Sequence, residues 1–303
     1  MNRGRERRAV HGIVLLDKPV GITSNTALQR VKRLFNAAKA GHTGNLDGPA
    51  SGLLPICLGE ATKVTPFLLD ADKEYIARIR FGTRTTTADA AGEVIETRPV
   101  PALDTDTVDD VLRGFIGEIE QVPPMYSALK HEGERLYRLA AQGMTVERKA
   151  RTVTILALER LALAADELEI RVRCTKGTYI RTLAEDIGAA LGTAGHVLTL
   201  RRTAVAPFRI ENAHTLDELE RRADHGLQDL DTVLLAMDRA LPQLAAVQFS
   251  RDSAYYVRTG QAVRTAGAAS GLLRMYDEQG RFMGIGETTD DGRVAPRRLI
   301  NWS

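Results

Sequence analysis

Residues 152–174, TVTILALERLALAADELEIRVRC, hold two apolar runs joined by a short acidic stretch. Thr152 to Leu158 is β-branched and strand-like, while Leu168, Ile170, Val172 and Cys174 alternate with Glu169, Arg171 and Arg173. That two-residue period is the repeat of a strand with one buried face. Strands so closely joined pair antiparallel. Upstream, Glu74 to Gly82 repeats the alternation, with Tyr75, Ala77, Ile79 and Phe81 on one face and Ile76, Arg78 and Arg80 on the other. Helical spacing takes over elsewhere. Leu28, Val31, Leu34 and Phe35 follow Ser24, a candidate N-cap, and Val108, Val111, Leu112, Phe115 and Ile116 mark a second helix. Leu183, Ile187, Ala190 and Leu191 continue from Ile180, and Thr215 with Glu218 makes a capping-box pattern. Strands and helices thus intermix without strict βαβ alternation, which predicts an α+β fold rather than a doubly wound parallel sheet.

A chain of 303 residues exceeds a typical single domain. From about Val247 the character changes: GLLRMYDEQGRFMGIGE is two short strand runs about a polar turn, followed by DGRVAPRRLI. The expected division is residues 1–240 and a small β-rich domain of residues 245–303. The formal charge is only +2, yet the signs are sorted. Residues 1–40 carry nine bases (Arg3, Arg5, Arg7, Arg8, Lys18, Arg30, Lys32, Arg33, Lys39) against Glu6 and Asp17, while acids gather at Asp104, Asp106, Asp109 and Asp110 and again at Asp217, Glu218, Glu220 and Asp224. Such sorting suits a polyanionic partner on one side and solvent on the other. Cys57 and Cys174 lie far apart in apolar runs, as buried free thiols do, and the six histidines lack zinc spacing. No stretch approaches the about 20 apolar residues of a membrane span, and the GIVLL run behind the basic N-terminus reads as a strand rather than a secretory signal. The expected home is a reducing cytoplasm.

Residues 41–52, GHTGNLDGPASG, are too broken by small residues for a helix or a strand interior. A plain turn accounts for Asp-Gly on composition alone. Two features argue for more: the apolar run Leu53 to Leu58 follows at once, and the basic segment precedes the single acid, Asp47.

With its neighbours, GHTGNLDGPASGLLPICLGEATK resembles the signature of the bacterial TruB family of tRNA pseudouridine synthases. LDKPVGITS stands ahead of it; KEYIARIRFGTRTTTADAAGEV, PPMYSALKHEGERLYRLAAQGMTVERKAR and CTKGTYIRTLAEDIGAALGTAGHVLTLRRTAVAPF follow in the family's order. The tail, with MYDEQGRFMGIGE and RRLI, is similar to the RNA-binding PUA domain that ends these enzymes. Inside the signature, Asn45 replaces the family's Thr or Ser, and Gly48-Pro49 its Pro-Leu. The resemblance implies a central mixed, largely antiparallel sheet flanked by helices, a C-terminal PUA-like domain, and isomerisation of the T-loop uridine at tRNA position 55 without cofactor or metal.

It also implies roles. Asp47 matches the family's nucleophile, Arg181 the arginine that pairs with it and keeps it ionised, and Tyr75 the ring that stacks on the extruded base and accepts a proton from its ring carbon. The phenol suits that second task if the site lowers its pKa or if the proton is acidic enough. His42 matches the residue that intrudes near the vacated stack. Lys18, Lys63 and Asp89 match positions lining or supporting the site, and Tyr179 and Leu200 its apolar walls. The insertion at about 124–151, with Lys130, Arg135, Arg138, Arg148 and Lys149 beside Tyr126 and Tyr137, matches an arm that grips the tRNA T-arm stem-loop. Guide-RNA-dependent relatives lack that insertion, so its presence implies a stand-alone enzyme that recognises tRNA directly; a monomer needing no protein partner is the separate expectation. The rival from another class is a noncatalytic RNA-binding or tRNA-folding protein, against which the joint retention of Asp47, Tyr75 and Arg181 argues. Were the arm's charges merely solvated, the grip on RNA would fall to the first 40 residues and to Arg201 and Arg202.

Overall fold

The computed structural model describes residues 7–265 and 267–302, so Arg3, Arg5 and Glu6 of the basic N-terminus lie outside the described residues. The chain forms two units: one of Met1–Leu46, Leu53–Leu69 and Ala206–Ser303, the other of Asp47–Gly52 and Asp70–Val205. No helix of the described residues is long and apolar enough to cross a membrane.

The first unit opens with strand β1 (Gly12–Lys18) and helix α1 (Ser24–Leu34). Thr23, not the expected Ser24, caps α1, its side chain accepting the Thr26 N–H. The reason is burial: Ser24 is fully enclosed and its hydroxyl is used elsewhere, as described below. Strand β2 (Ala40–His42) pairs antiparallel with β3 (Ser51–Leu58), so the glycine-rich stretch is shorter as a loop than expected, with both ends drawn into strands. Residues 53–58 of β3 are fully buried and neighbour β1, which pairs on its other side, in parallel, with His214–Thr215. Thr215 and Glu218 complete the capping box of Leu216–His225. C-terminally, Ala245–Gln248, Leu272–Tyr276, Phe282–Thr288, Arg293–Leu299 and Val263–Arg264 form a five-stranded sheet in that order. Its own core holds Val247, Phe249, Val257, Leu273, Met275 and Val294.

In the second unit, β4 (Lys73–Phe81) is followed by β5 (Thr83–Thr85), β6 (Val94–Thr97), β7 (Gly117–Gln121), β8 (Lys130–His131), β9 (Glu134–Arg135), β10 (Arg151–Leu163), β11 (Glu167–Cys174) and β12 (Gly195–Val205). The sheet order is β12-β4-β11-β10-β7, antiparallel throughout; Ser51 and Gly52 add a parallel contact to Arg201 and Arg202. The hairpin expected from the opening stretch is therefore β10-β11. Ala77, Ile79 and Phe81 of β4 and Leu168, Ile170 and Val172 of β11 share one core with Val108 and Leu112 of Thr105–Gly114 and with Ile180, Leu183 and Ile187 of Ile180–Ala190. The first of these helices stops at Gly114, leaving the expected helical residue Ile116 exposed beyond its end. Mixed, largely antiparallel strands with helices packed against them make this an α+β fold, as the sequence predicts.

Candidate active site

Asp47 heads a tight turn. The Ala50 N–H donates to the Asp47 carbonyl at 3.1 Å, with Gly48 and Pro49 at the corner. Just before it, in the first unit, the Leu46 N–H donates to Ser24 Oγ at 2.8 Å and the Ser24 hydroxyl donates to the Leu46 carbonyl at 3.0 Å. One buried hydroxyl therefore satisfies both backbone groups of the residue preceding the aspartate. Five residues on, Gly52 has φ +107° and lies so close to β12 that a Cβ there would sit 2.2 Å from the Arg202 carbonyl oxygen. No side chain fits such an approach.

Arg181, second residue of Ile180–Ala190, meets the loop. Its Nη2 lies 2.9 Å from Asp47 Oδ2, with the arginine side chain 7 % exposed and the aspartate 39 %. The same guanidinium donates to the Thr87 carbonyl at 2.9 Å and to the Tyr126 carbonyl at 2.8 Å. A planar fork is thereby fixed from three directions, which a lysine could not match. Tyr179 caps the helix without a side-chain bond; its N–H donates to Gln121 Oε1 at 3.0 Å and its carbonyl accepts from Gln121 Nε2 at 3.3 Å. Buried Gln121 thus anchors the turn that aims Arg181. Asp89, also buried, accepts at Oδ1 from the Thr87 hydroxyl at 2.6 Å and from the Ala91 N–H at 3.0 Å. It shapes the segment whose carbonyl holds Arg181. Asp47, Pro49, Ala50, Asp89, Arg181 and Leu200 line a cleft enclosing only about 20 Å³. The first unit's cavity of about 770 Å³, lined among others by Phe208, His214 and Arg239, contains none of these groups.

Tyr75 is partly buried on β4, directly opposite Arg202 of β12. Burial pushes its phenol up from the ordinary value, against the pull of the Arg202 cation, which hydrogen-bonds it. The site therefore does not lower the phenol's pKa, and of the two conditions stated for a proton acceptor the acidity of the substrate proton is the one left. Arg202 itself is 1 % exposed. It is no part of an RNA-binding surface, contrary to its place as a fallback for the grip.

Residues 32–180 match the model of the TruB family pseudouridylate synthase N-terminal domain, residues 181–242 that of a tRNA pseudouridylate synthase B C-terminal domain, and residues 245–300 that of a pseudouridine synthase II TruB C-terminal domain. The chain is 56 % identical over 292 residues to tRNA pseudouridine synthase B of Nitrosococcus oceani, covering 96 % of this chain and 95 % of the relative. The chain belongs to the TruB family. The same protein of Stutzerimonas stutzeri is 53 % identical over 298 residues, covering 98 % of this chain and 97 % of the relative. Among solved structures, a chain of a Cbf5-Nop10-Gar1 complex superposes with a TM-score of 0.74 at 28 % identity, covering 96 % of this chain and 84 % of that one.

Of the residues matched to TruB positions, Asp47, Tyr75, Asp89, Tyr179, Arg181 and Leu200 all fall in the second unit. The other three belong to the first. Lys18 is fully buried at the end of β1, donating to the carbonyls of Pro19 at 2.8 Å and Ile22 at 2.9 Å, so it shapes the turn into α1. His42 ends β2 opposite Ile56 and is half-buried. Lys63 pairs with Glu60 and donates to the Leu299 carbonyl at 2.6 Å, a tie to the C-terminal sheet. The arm is a β8-β9 hairpin turning through Glu132 and Gly133, both with positive φ, followed by the short helix Leu136–Ala141. Lys130, Arg135, Arg138 and Lys149 are exposed on it. Arg148 is half-buried and donates to the Pro123 carbonyl at 3.1 Å, which makes it a fastening at the arm's base. Sequence reasoning missed the roles of Ser24, Gln121, Thr87 and Arg202 at this site. The first reads as a cap, the carbonyl of Thr87 carries no residue-type signal, and Arg202 sits beside Arg201 like any basic pair.

Proposed function

We propose that this chain isomerises the T-loop uridine at position 55 of tRNA to pseudouridine, with Asp47 as the nucleophile on a flipped-out nucleotide. The observation that carries the reading is the Asp47–Arg181 pair: an accessible carboxylate at a turn, held by a buried guanidinium that also donates to two backbone carbonyls. An ionised carboxylate in that setting can take the glycosyl group as the uracil leaves with the bonding pair on N1. Rotation of the base brings its C5 to the ribose carbon, the new C–C bond displaces the carboxylate, and loss of the C5 proton with protonation of N1 gives pseudouridine. No redox partner enters this balance. Tyr75 supplies the ring on which an extruded base stacks.

The exposed cations of the arm support direct capture of the T-arm stem-loop by a stand-alone monomer, and the C-terminal residues 245–303 add a second, PUA-like RNA contact. The catalytic domain is then residues 1–240. The test is to incubate the chain alone with unmodified tRNA and map pseudouridine chemically at single-nucleotide resolution. Product at the T-loop uridine is the expected result. Binding without product would favour a noncatalytic tRNA-folding protein, and product only after a second RNA is added would favour a guide-dependent enzyme.

A further inference from the structure

We propose that Arg202 is a positioning residue for this reaction: its guanidinium fixes the Tyr75 oxygen and favours the phenolate that removes the ring-carbon proton. The inference deepens the proposed function and rests on it. Three observations carry it. Arg202 and Tyr75 are direct partners in the antiparallel β12-β4 register, so their side chains share one face of the sheet. Arg202 is 1 % exposed, which commits its charge to the interior, where the cation bears on the Tyr75 oxygen. The backbone of Arg202 is also what Gly52 packs against, five residues after Asp47, with no room for a Cβ between them. One residue thus ties the strand carrying the phenol to the end of the loop carrying the carboxylate.

The charged and titratable groups that bear on the Tyr75 oxygen come from three elements: Arg202 of β12, Cys174 of β11 and Asp47 of the loop. Burial raises the Cys174 thiol to about 11, so near neutral pH it adds no charge. Arg202 is then the group that opposes burial and Asp47. In the step itself the phenolate oxygen takes the C5 proton, the C–H pair returns to the ring to restore the conjugated uracil, and the negative charge falls on N1. N1 then takes a proton and the phenolate is restored, so the net change is transfer of one proton from C5 to N1.

The experiment measures single-turnover pseudouridine formation on unmodified tRNA between pH 6 and 10 for wild type, Arg202→Met and Arg202→Lys, with melting temperature and tRNA affinity measured alongside. A cation that close to a phenol shifts it by about one to three units, so Arg202→Met should lose about tenfold to a thousandfold near neutral pH and regain rate as pH rises. Difluorotyrosine at position 75, whose phenol is more acidic, should restore much of that loss. A loss uniform across pH and untouched by difluorotyrosine would make Arg202 merely structural and overturn the proposal. If Arg202→Met does not fold, Arg202→Gln, measured in the same way, decides, because it keeps a hydrogen-bond donor but not the charge: a pH-dependent loss rescued by difluorotyrosine supports the role, and a wild-type profile refutes it. Wild type that makes no pseudouridine at all would instead remove the underlying reading.

Discussion

Replacing Arg181 by methionine removes three fixed interactions at once, and their sizes can be set apart. The Thr87 and Tyr126 carbonyls each lose a charge-assisted donor in a buried setting, at about 1–3 kcal/mol apiece. The ion pair adds less to stability, about 1 kcal/mol, because the Asp47 side chain is 39 % exposed and water screens it. Methionine fills most of the vacated volume and recovers part of this, so a net destabilisation of about 2–4 kcal/mol is expected by thermal or urea unfolding. The effect on chemistry follows a different path. A carboxylate without its cation is less well placed, and loss of one preorganised electrostatic partner costs about 10²–10³ in rate. Single-turnover pseudouridine formation at saturating tRNA should fall by that factor, while affinity, which rests on phosphate contacts elsewhere, stays within a few-fold. Arg181→Lys should fall between, since an ammonium cannot hold Asp47 and two carbonyls in one plane. A rate for Arg181→Met within threefold of wild type would refute the reasoning and return Arg181 to a structural cation.

Asp47→Asn should make no pseudouridine detectable by chemical mapping, yet bind tRNA within a few-fold of wild type; measurable turnover would remove Asp47 as the nucleophile. Changing Lys130, Arg135, Arg138 and Lys149 together to alanine should weaken tRNA binding and flatten the plot of log affinity against log salt by roughly 0.7–0.9 for each phosphate no longer neutralised, and an unchanged slope would make these charges a solvated face. Gly48→Ala should be stabilising by about 0.4–1 kcal/mol in urea melts, because Gly48 has no left-handed φ and an added Cβ meets nothing within 4 Å; a loss of stability would show that the turn needs glycine. Burial lowers Lys73 to about 8, so the unfolded chain binds the extra proton and stability contributed through this group rises as pH climbs from about 8 through the ordinary lysine range. Urea midpoints of wild type and Lys73→Met should therefore converge or cross over that window, whereas parallel curves would contradict the assignment.

The sheet was legible because its strands keep a strict period. Ala77, Ile79 and Phe81 of the one strand and Leu168, Ile170, Val172 and Cys174 of the other face a core that excludes water, and burial enforces the alternation there, with Ile76 an exception on the opposite face. Helix ends were less legible. At the start of Ser24–Leu34, threonine and serine stand side by side, and either hydroxyl could cap; the choice was made by Leu46, more than 20 residues away, whose backbone takes the Ser24 side chain. Ile116 fits the helical spacing of its neighbours, but the helix ends before it and it stays exposed, so an apolar period alone did not mark the end. The basic arm was legible as charge, yet Arg148 is spent on the Pro123 carbonyl rather than on solvent. A sequence displays the charge of a side chain and conceals which backbone atom it serves.

The same asymmetry explains why Asp47 could be picked out while its restraints could not. A single acid among glycines is conspicuous, and the motif assigns it. What lets a flexible sequence hold a reacting group is not in the loop. Leu46 is fixed by a serine of the first helix, the turn closes on its own through Ala50, Gly52 is pressed to the backbone of Arg202, and the carboxylate meets an arginine that two distant carbonyls already hold. Apart from Pro49, whose ring fixes its own φ, the residues between those fixed points can be small. Gly48 and Pro49, which depart from the TruB pattern, sit at the corner of that turn and lend none of these fixed points a side chain. Precision at this site is a property of the partners, which is why Arg181, Arg202 and the closely packed Gly52, rather than the exposed corner of the turn, are where substitution should cost most.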